Sequence, residues 1–249
     1  MRHVEQVMGT AVSIHLADDR PDAELHALVG DVCAWLHEVD AQFSTYKPDS
    51  EISRLRRGEI RAEECSADVR HVLDVCADLW RDTDGYFDVY AGGPLDPSGY
   101  VKGWSVEVAS ARLLAAGSAN HYINAGGDIR MRGNHPDGGP WRVGIRHPWE
   151  ADKVSWVLAL HDGAVATSGT YERGHHVFNP RTGKPARGLR SVTVVGPDLS
   201  MADAYATAVL AMGEPGLPWL AKRTADGYES AVVTDDGRAF ISPRLPAAV

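Results

Sequence analysis

Asp203 and Thr207 stand four residues apart in the run LSMADAYATAVLAMG, which reads as a helix beginning near Ser200 and stopping at Gly213. That spacing is about one helical turn, so a carboxylate and a hydroxyl project from one face. Upstream, residues 164–166 read as a short buried strand, followed by Thr167-Ser168-Gly169-Thr170 as a turn offering hydroxyls and backbone N–H groups. Oxygen donors of this kind suit a hard divalent cation that carries phosphates. The plainer reading of Asp203 is a first-turn acid favouring the helix dipole, with Ser200 as its N-cap.

Three further groups of residues could join that chemistry. The segment 85–103, GYFDVYAGGPLDPSGYVKG, holds five glycines and two prolines in an apolar setting. It reads as a buried, non-repetitive loop whose backbone polar groups a ligand would satisfy. Helical spacing from 101 to 116 puts Lys102 in a first turn, either as a solvated lysine or as one half of an anion site shared with the helix N-terminus. Gly126-Gly127 between strand-like runs 121–124 and 129–132 reads as a tight hairpin with Asp128 exposed. His175-His176 precede Asn179-Pro180-Arg181-Thr182-Gly183, a loop signal.

The elements that must position these residues follow from periodicity. Residues 4–16 alternate as a strand or hairpin with an irregularity at Met8-Gly9-Thr10. Helical spacing covers 21–39, a short helix 52–57 capped by Asp49 or Ser50, and an amphipathic helix 66–83. Strands are expected at 141–146, 154–160 and 191–195, a helix at 217–224, and a closing hairpin of 230–234 and 239–241 around Asp235-Asp236-Gly237. No internal repeat or low-complexity linker is present. Strands and helices alternate without strict βαβ order, so an α+β architecture of mixed or antiparallel sheets with packed helices is expected.

Composition sets the outer bounds. The chain of 249 residues has 44% hydrophobic and 24% charged residues, ordinary for a globular protein with an ample core. A formal net charge of −9 argues against a nucleic-acid binder yet leaves room for a phosphorylated ligand neutralised by a cation. The three cysteines, Cys33, Cys65 and Cys76, form no C-x-x-C pair and read as reduced thiols. The opening residues lack the basic and apolar regions of a signal peptide, and no apolar run is long enough to span a bilayer. A cytoplasmic location without membrane insertion is the default expectation.

Taken in order, several stretches resemble the ApbE family, flavin transferases that move FMN from FAD onto a protein threonine. They are Met8-Gly9-Thr10, Ser44-Thr45-Tyr46 through Ser50-Glu51, Phe87-Asp88-Val89, and Leu95-Asp96 through Lys102-Gly103. Asn124 through Asp128, Ala166-Thr167-Ser168-Gly169, His176 through Pro180 with Thr182-Gly183, and Ala202-Asp203-Ala204 through Thr207-Ala208 continue the series over nearly the whole chain. The resemblance implies one domain over 1–249, an ApbE-like, T-fold-like architecture of two intertwined lobes, and a ligand in the cleft between them.

It also implies roles. FAD would be contacted by Met8, Tyr46, Tyr86, Phe87, Asp88, Asp96, Lys102 and Phe178. Magnesium would take the Gly99 carbonyl with the Asp203 and Thr207 side chains, and His176 would take the acceptor proton. The expected reaction is transfer of FMN to a threonine in an acceptor protein bearing a Ser/Thr-Gly-Ala-Thr type of sequence, with AMP leaving. The alternatives are an FAD pyrophosphatase giving FMN and AMP, and a non-catalytic FAD-binding protein. Two departures stand out. Ala206 occupies a position where some members have a second aspartate, and Asp96-Pro97-Ser98-Gly99 differs from the commoner glycine–alanine form.

Overall fold

The computed structural model describes residues 1–170 and 177–248. The strands are β1 (Arg2–Val7), β2 (Thr10–Leu16), β3 (His121–Ala125), β4 (Asp128–Arg132), β5 (Trp141–Arg146), β6 (Val154–Leu160) and β7 (Gly163–Gly169). They are followed by β8 (Phe178–Asn179), β9 (Lys184–Pro185), β10 (Leu189–Gly196), β11 (Glu229–Thr234) and β12 (Ala239–Ile241). The α-helices are α1 (Asp22–Phe43), α2 (Glu51–Arg56), α3 (Ala67–Asp82), α4 (Ser98–Ala115), α5 (Leu199–Met212) and α6 (Leu217–Lys222).

Among the described residues one antiparallel sheet runs in the order β1-β2-β3-β4-β7-β10-β11-β12, and β5-β6 and β8-β9 form separate hairpins. Helices α4 and α5 pack against each other, α4 over β3 and β4, and α5 over β7 and β10. The main core joins these helices to α1 and α3 through Leu36, Val72, Leu113 and Leu199. A second core beneath Ile129, Met131 and Val165 is closed by hairpin β5-β6 through Trp141, Ile145 and Leu158. The sheet is therefore covered on both faces, and β4, β7 and β10 are buried at nearly every position rather than at alternate ones.

Local signals behave as their chemistry requires. Ser50 accepts from the Ser53 amide at 3.0 Å and Ser66 from the Val69 amide at 3.3 Å, so the two N-caps sit where hydroxyls precede the helices. Met8-Gly9 is the two-residue turn of the first hairpin, with φ of 53° and 68°, the left-handed pair that a tight hairpin needs. Helix α1 runs four residues past the expected end at 39, because Val39 and Phe43 continue its buried stripe.

Three expectations change. Helix α4 starts at Ser98 rather than 101, so Lys102 lies a full turn inside it and is not a first-turn residue. Thr167, Ser168 and Gly169 belong to β7, paired with Thr193, Val192 and Ser191, so their hydroxyls are presented by a strand. The loop preceding α4 is half exposed; Phe87 and Leu95 anchor it, while Tyr90, Gly92 and Gly93 face outward.

Candidate active site

The cleft is built from the meeting of α4 and α5. Gly99 and Gly103 are four apart on α4, and both face α5. A Cβ on Gly103 would lie 2.6 Å from the Leu199 carbonyl oxygen and 2.8 Å from Asp203 Cβ. A Cβ on Gly99 would lie 3.2 Å from Thr207 Cγ2. Two missing side chains thus let the helices close to backbone contact. Ala202 and Ala206 add small buried neighbours on α5.

That approach has an electrostatic consequence. The Gly103 amide donates to Asp203 Oδ2 at 3.0 Å. In a regular helix the same amide proton belongs to the Gly99 carbonyl, so Asp203 competes for it. Asp203 is 3% exposed, and burial first, then the Asp128 charge, holds its carboxyl well above the usual carboxylate range; Lys102 opposes this. The N-cap of α5 is Asp198, which accepts from the Met201 amide at 2.9 Å, rather than Ser200. Asp203 therefore sits beyond the first turn, and dipole stabilisation does not account for it.

Asp128 is 1% exposed, not the solvated turn residue the hairpin reading implied. It opens β4, pairs with Lys102, and one oxygen lies 3.4 Å from the Thr167 amide. A Gly-Gly turn followed at once by an acid at the mouth of a buried strand was the available signal. Gly126 has φ 60°, and its Cβ position would lie 2.7 Å from Thr10 Oγ1, so the two hairpin turns abut there. Thr207 Oγ1 lies 3.3 Å from Ser168 Oγ. Two buried carboxylates and two hydroxyls are all hard oxygen donors, and adjacent buried carboxylates call for a cation; this donor set fits one.

The floor opens into a cleft of about 510 Å³. Met8, Gly99, Lys102, Asp203 and Thr207 all line it, as do Asp96 and, on the wall, Tyr86, Phe87 and Asp88. Phe178 contributes from β8 and Tyr46 from the rim, where its ring is 95% exposed. Phe87 is held by its amide's 2.8 Å bond to Thr83 Oγ1, at the end of α3. Asp96 Oδ1 accepts from the Ser98 amide at 3.0 Å, turning the chain into α4. The Arg181 guanidinium lies over the Tyr86 ring at 5.0 Å. Every described site candidate thus reaches one cleft; His176 lies outside the described residues.

Among the described lining residues, Lys102 is the one cation and Asp40, Asp88, Asp96 and Asp203 are the acids. The sequence reading named the Ser168 hydroxyl but took Asp128 for an exposed residue and gave Gly103 no role; a glycine pair four apart facing an alanine-rich helix would have pointed to the last.

A family model described as the ApbE family matches residues 8–95 and 90–232. An FAD:protein FMN transferase of Rhodobacter capsulatus is 38% identical over 61% of this chain, and the match spans 30% of that protein. An FAD:protein FMN transferase of Vibrio cholerae is 28% identical over 92% of this chain and 86% of its own length. The solved structure of the flavin transferase ApbE from Vibrio cholerae superposes with a TM-score of 0.82 at 27% identity, over 98% of this chain and 97% of that one.

Proposed function

The chain belongs to the ApbE family, and from that membership we propose that it transfers FMN from FAD to a threonine hydroxyl of an acceptor protein, with release of AMP. The observation that carries the reading is the charge of the cleft: among the described lining residues one ammonium, Lys102, stands with the acids Asp40, Asp88, Asp96 and Asp203, of which Asp40 is paired with Lys47 at 2.5 Å. A dianionic diphosphate would be repelled from such walls unless a divalent cation came with it.

Asp203, Thr207 and the Gly99 carbonyl would hold Mg²⁺. The bond from the Gly103 amide to Asp203 supports the inclusion of that carbonyl, since this amide is the carbonyl's regular helical donor. Bound there, Mg²⁺ would supply positive charge against the diphosphate. The absence of a carboxylate at Ala206 is met by Asp128, which brings a second buried acid beside Asp203 from another element.

The remaining work falls to the chain's own groups. Lys102, held by Asp128, orients the diphosphate at the floor. Tyr86, Phe178 and Tyr46 offer ring faces to the flavin and adenine, with Met8 beneath the cleft. Asp88 and Asp96 accept hydrogen bonds from the dinucleotide's hydroxyl and ring N–H groups. The acceptor oxygen attacks the FMN-side phosphorus, its bond to the AMP phosphate breaks, and the hydroxyl proton passes to His176. Phosphoryl-type transfer of this sort rests on positioning and charge neutralisation more than on covalent participation by the protein. Residues 1–249 would act as one domain.

The test is incubation of the protein with FAD, Mg²⁺ and an acceptor domain carrying a Ser/Thr-Gly-Ala-Thr sequence. A covalent mass gain equal to FMN in the acceptor, absent with Asp203→Ala, is expected. Undiminished transfer by that variant would remove the metal assignment. Free FMN and AMP formed equally with and without acceptor would instead mark a pyrophosphatase.

A further inference from the structure

A second cluster of donors lies away from the flavin cleft, on the edge strand β1 and helix α1. His3 and Glu5 alternate along β1 and so share its inner face, and Cys33 and His37 are four apart on α1 and share the face turned to the strand. His3 Nε2 lies 3.1 Å from Glu5 Oε2, and His37 Nε2 lies 2.9 Å from Glu5 Oε1. One donor atom from each of His3, Glu5 and Cys33 lies within 4.8 Å of the other two. None of the four residues lines the cleft.

We propose that His3, Glu5 and Cys33 form a site for a borderline-soft divalent cation of the Zn²⁺ type, with His37 fixing the Glu5 carboxylate. Imidazole, thiolate and carboxylate together are the donor set that Zn²⁺ takes, with a fourth position left for water. The 3.1 Å between His3 and Glu5 is close to the edge of a tetrahedron with bonds of about 2.0 Å. A hydrogen bond to the free oxygen of a ligating carboxylate is the usual outer support of such a site, and His37 supplies it.

In the metal-free protein the imidazoles of His3 and His37 hold the Glu5 carboxyl below its usual range, so the carboxylate is ionised and ready to ligate. The Cys33 thiol is pushed up to about 11, by burial first and then by the Glu5 charge, so it has no chemistry of its own at neutral pH. The Cys33 side chain packs against the main core on one side and faces Glu5 on the other. A thiophilic cation draws them together, displaces the thiol proton to solvent and pins the otherwise single-sided strand β1 to α1.

The chelator-stripped full chain, titrated with Co²⁺, is expected to develop a near-ultraviolet sulfur-to-cobalt absorption band that saturates at one equivalent and is removed by competing Zn²⁺. Cys33→Ser abolishes the band, while Asp203→Ala keeps it, because the oxygen donors of the cleft include no sulfur. In parallel, Zn²⁺ at a hundredfold excess over its dissociation constant raises Tm by roughly 5–10 °C in the unmodified chain and not in His3→Ala. Should Cys33→Ser fail to fold, His3→Ala on the outer strand gives the decision, with cobalt affinity expected to fall more than tenfold. Saturation without the sulfur band, or a band and affinity unchanged in either variant, overturns the site.

Discussion

Asp203 concentrates the conflict between stability and activity that a catalytic site creates. Its raised carboxyl means that ionisation is disfavoured in the metal-free fold, so the penalty is full at pH above its titration in the fold, shrinks as pH falls below that, and is gone below the unfolded carboxyl's own titration. Asp203→Asn keeps the shape and removes the charge. It is expected to stabilise the metal-free protein by about 1 kcal/mol at neutral pH, with the gain shrinking toward acid, as a Tm series against pH would read. The same variant is expected to lower FMN transfer on the order of 100-fold or more, measured by mass gain of the acceptor. Thr207→Val removes the hydroxyl that meets Ser168 Oγ at 3.3 Å and should lose Mg²⁺-dependent transfer, whereas Thr207→Ser should retain it, as mass gain of the acceptor would read. The acid and the alcohol were legible from their spacing. The environment that sets the acid's proton affinity was not, because Asp128 and Gly103 come from distant parts of the chain.

At the scale of elements, the contact of α4 with α5 decides where those oxygens point. Gly103→Ala puts a methyl group against the Leu199 carbonyl and Asp203 Cβ, neither of which is the free end of a flexible side chain. A loss of roughly 1–3 kcal/mol in chemical denaturation is expected, together with weakened metal binding as the helices part. Glu107 on α4 ties the same pair together. It accepts from the Leu199 amide at 2.8 Å, at the start of α5, and pairs with Arg130 of β4 at 2.9 Å, where Arg130 is 2% exposed. Removing it strands a buried guanidinium, so Glu107→Ala should cost about 3–5 kcal/mol and Arg130→Ala comparably in the same assay. Neither tie is visible in periodicity, since helical spacing reports which face is apolar and not which helix lies opposite.

The whole molecule supplies a buried floor and an exposed rim. The floor is made of helices and strands covered on both sides, whereas Tyr46 and the loop containing Gly92 stand out in solvent. Ligand binding that covers such a rim should stabilise the fold through mass action. FAD with Mg²⁺ at a hundredfold excess over the dissociation constant is expected to raise Tm by roughly 5–10 °C, and FAD with chelator by much less, in a thermal-shift measurement. An equal shift under both conditions would contradict joint binding of the cation and the diphosphate. No described helix is long and apolar enough to cross a membrane.

What the amino-acid sequence determined by itself was local: the helices and strands with their caps and turns, and the residues carrying oxygen donors at ligand-like intervals. Apolar periodicity and capping act over a few residues, so they can be read from a few residues. Only the tertiary structure decided that Asp128 is buried beside Asp203, that Lys102 faces it, and that the Gly103 amide, one hundred positions from Asp203, holds that carboxylate. Those relations arise when α4 crosses α5 above the β4–β7 pair. The free energy of a buried charge depends on what surrounds it in space, and sequence distance carries no information about that.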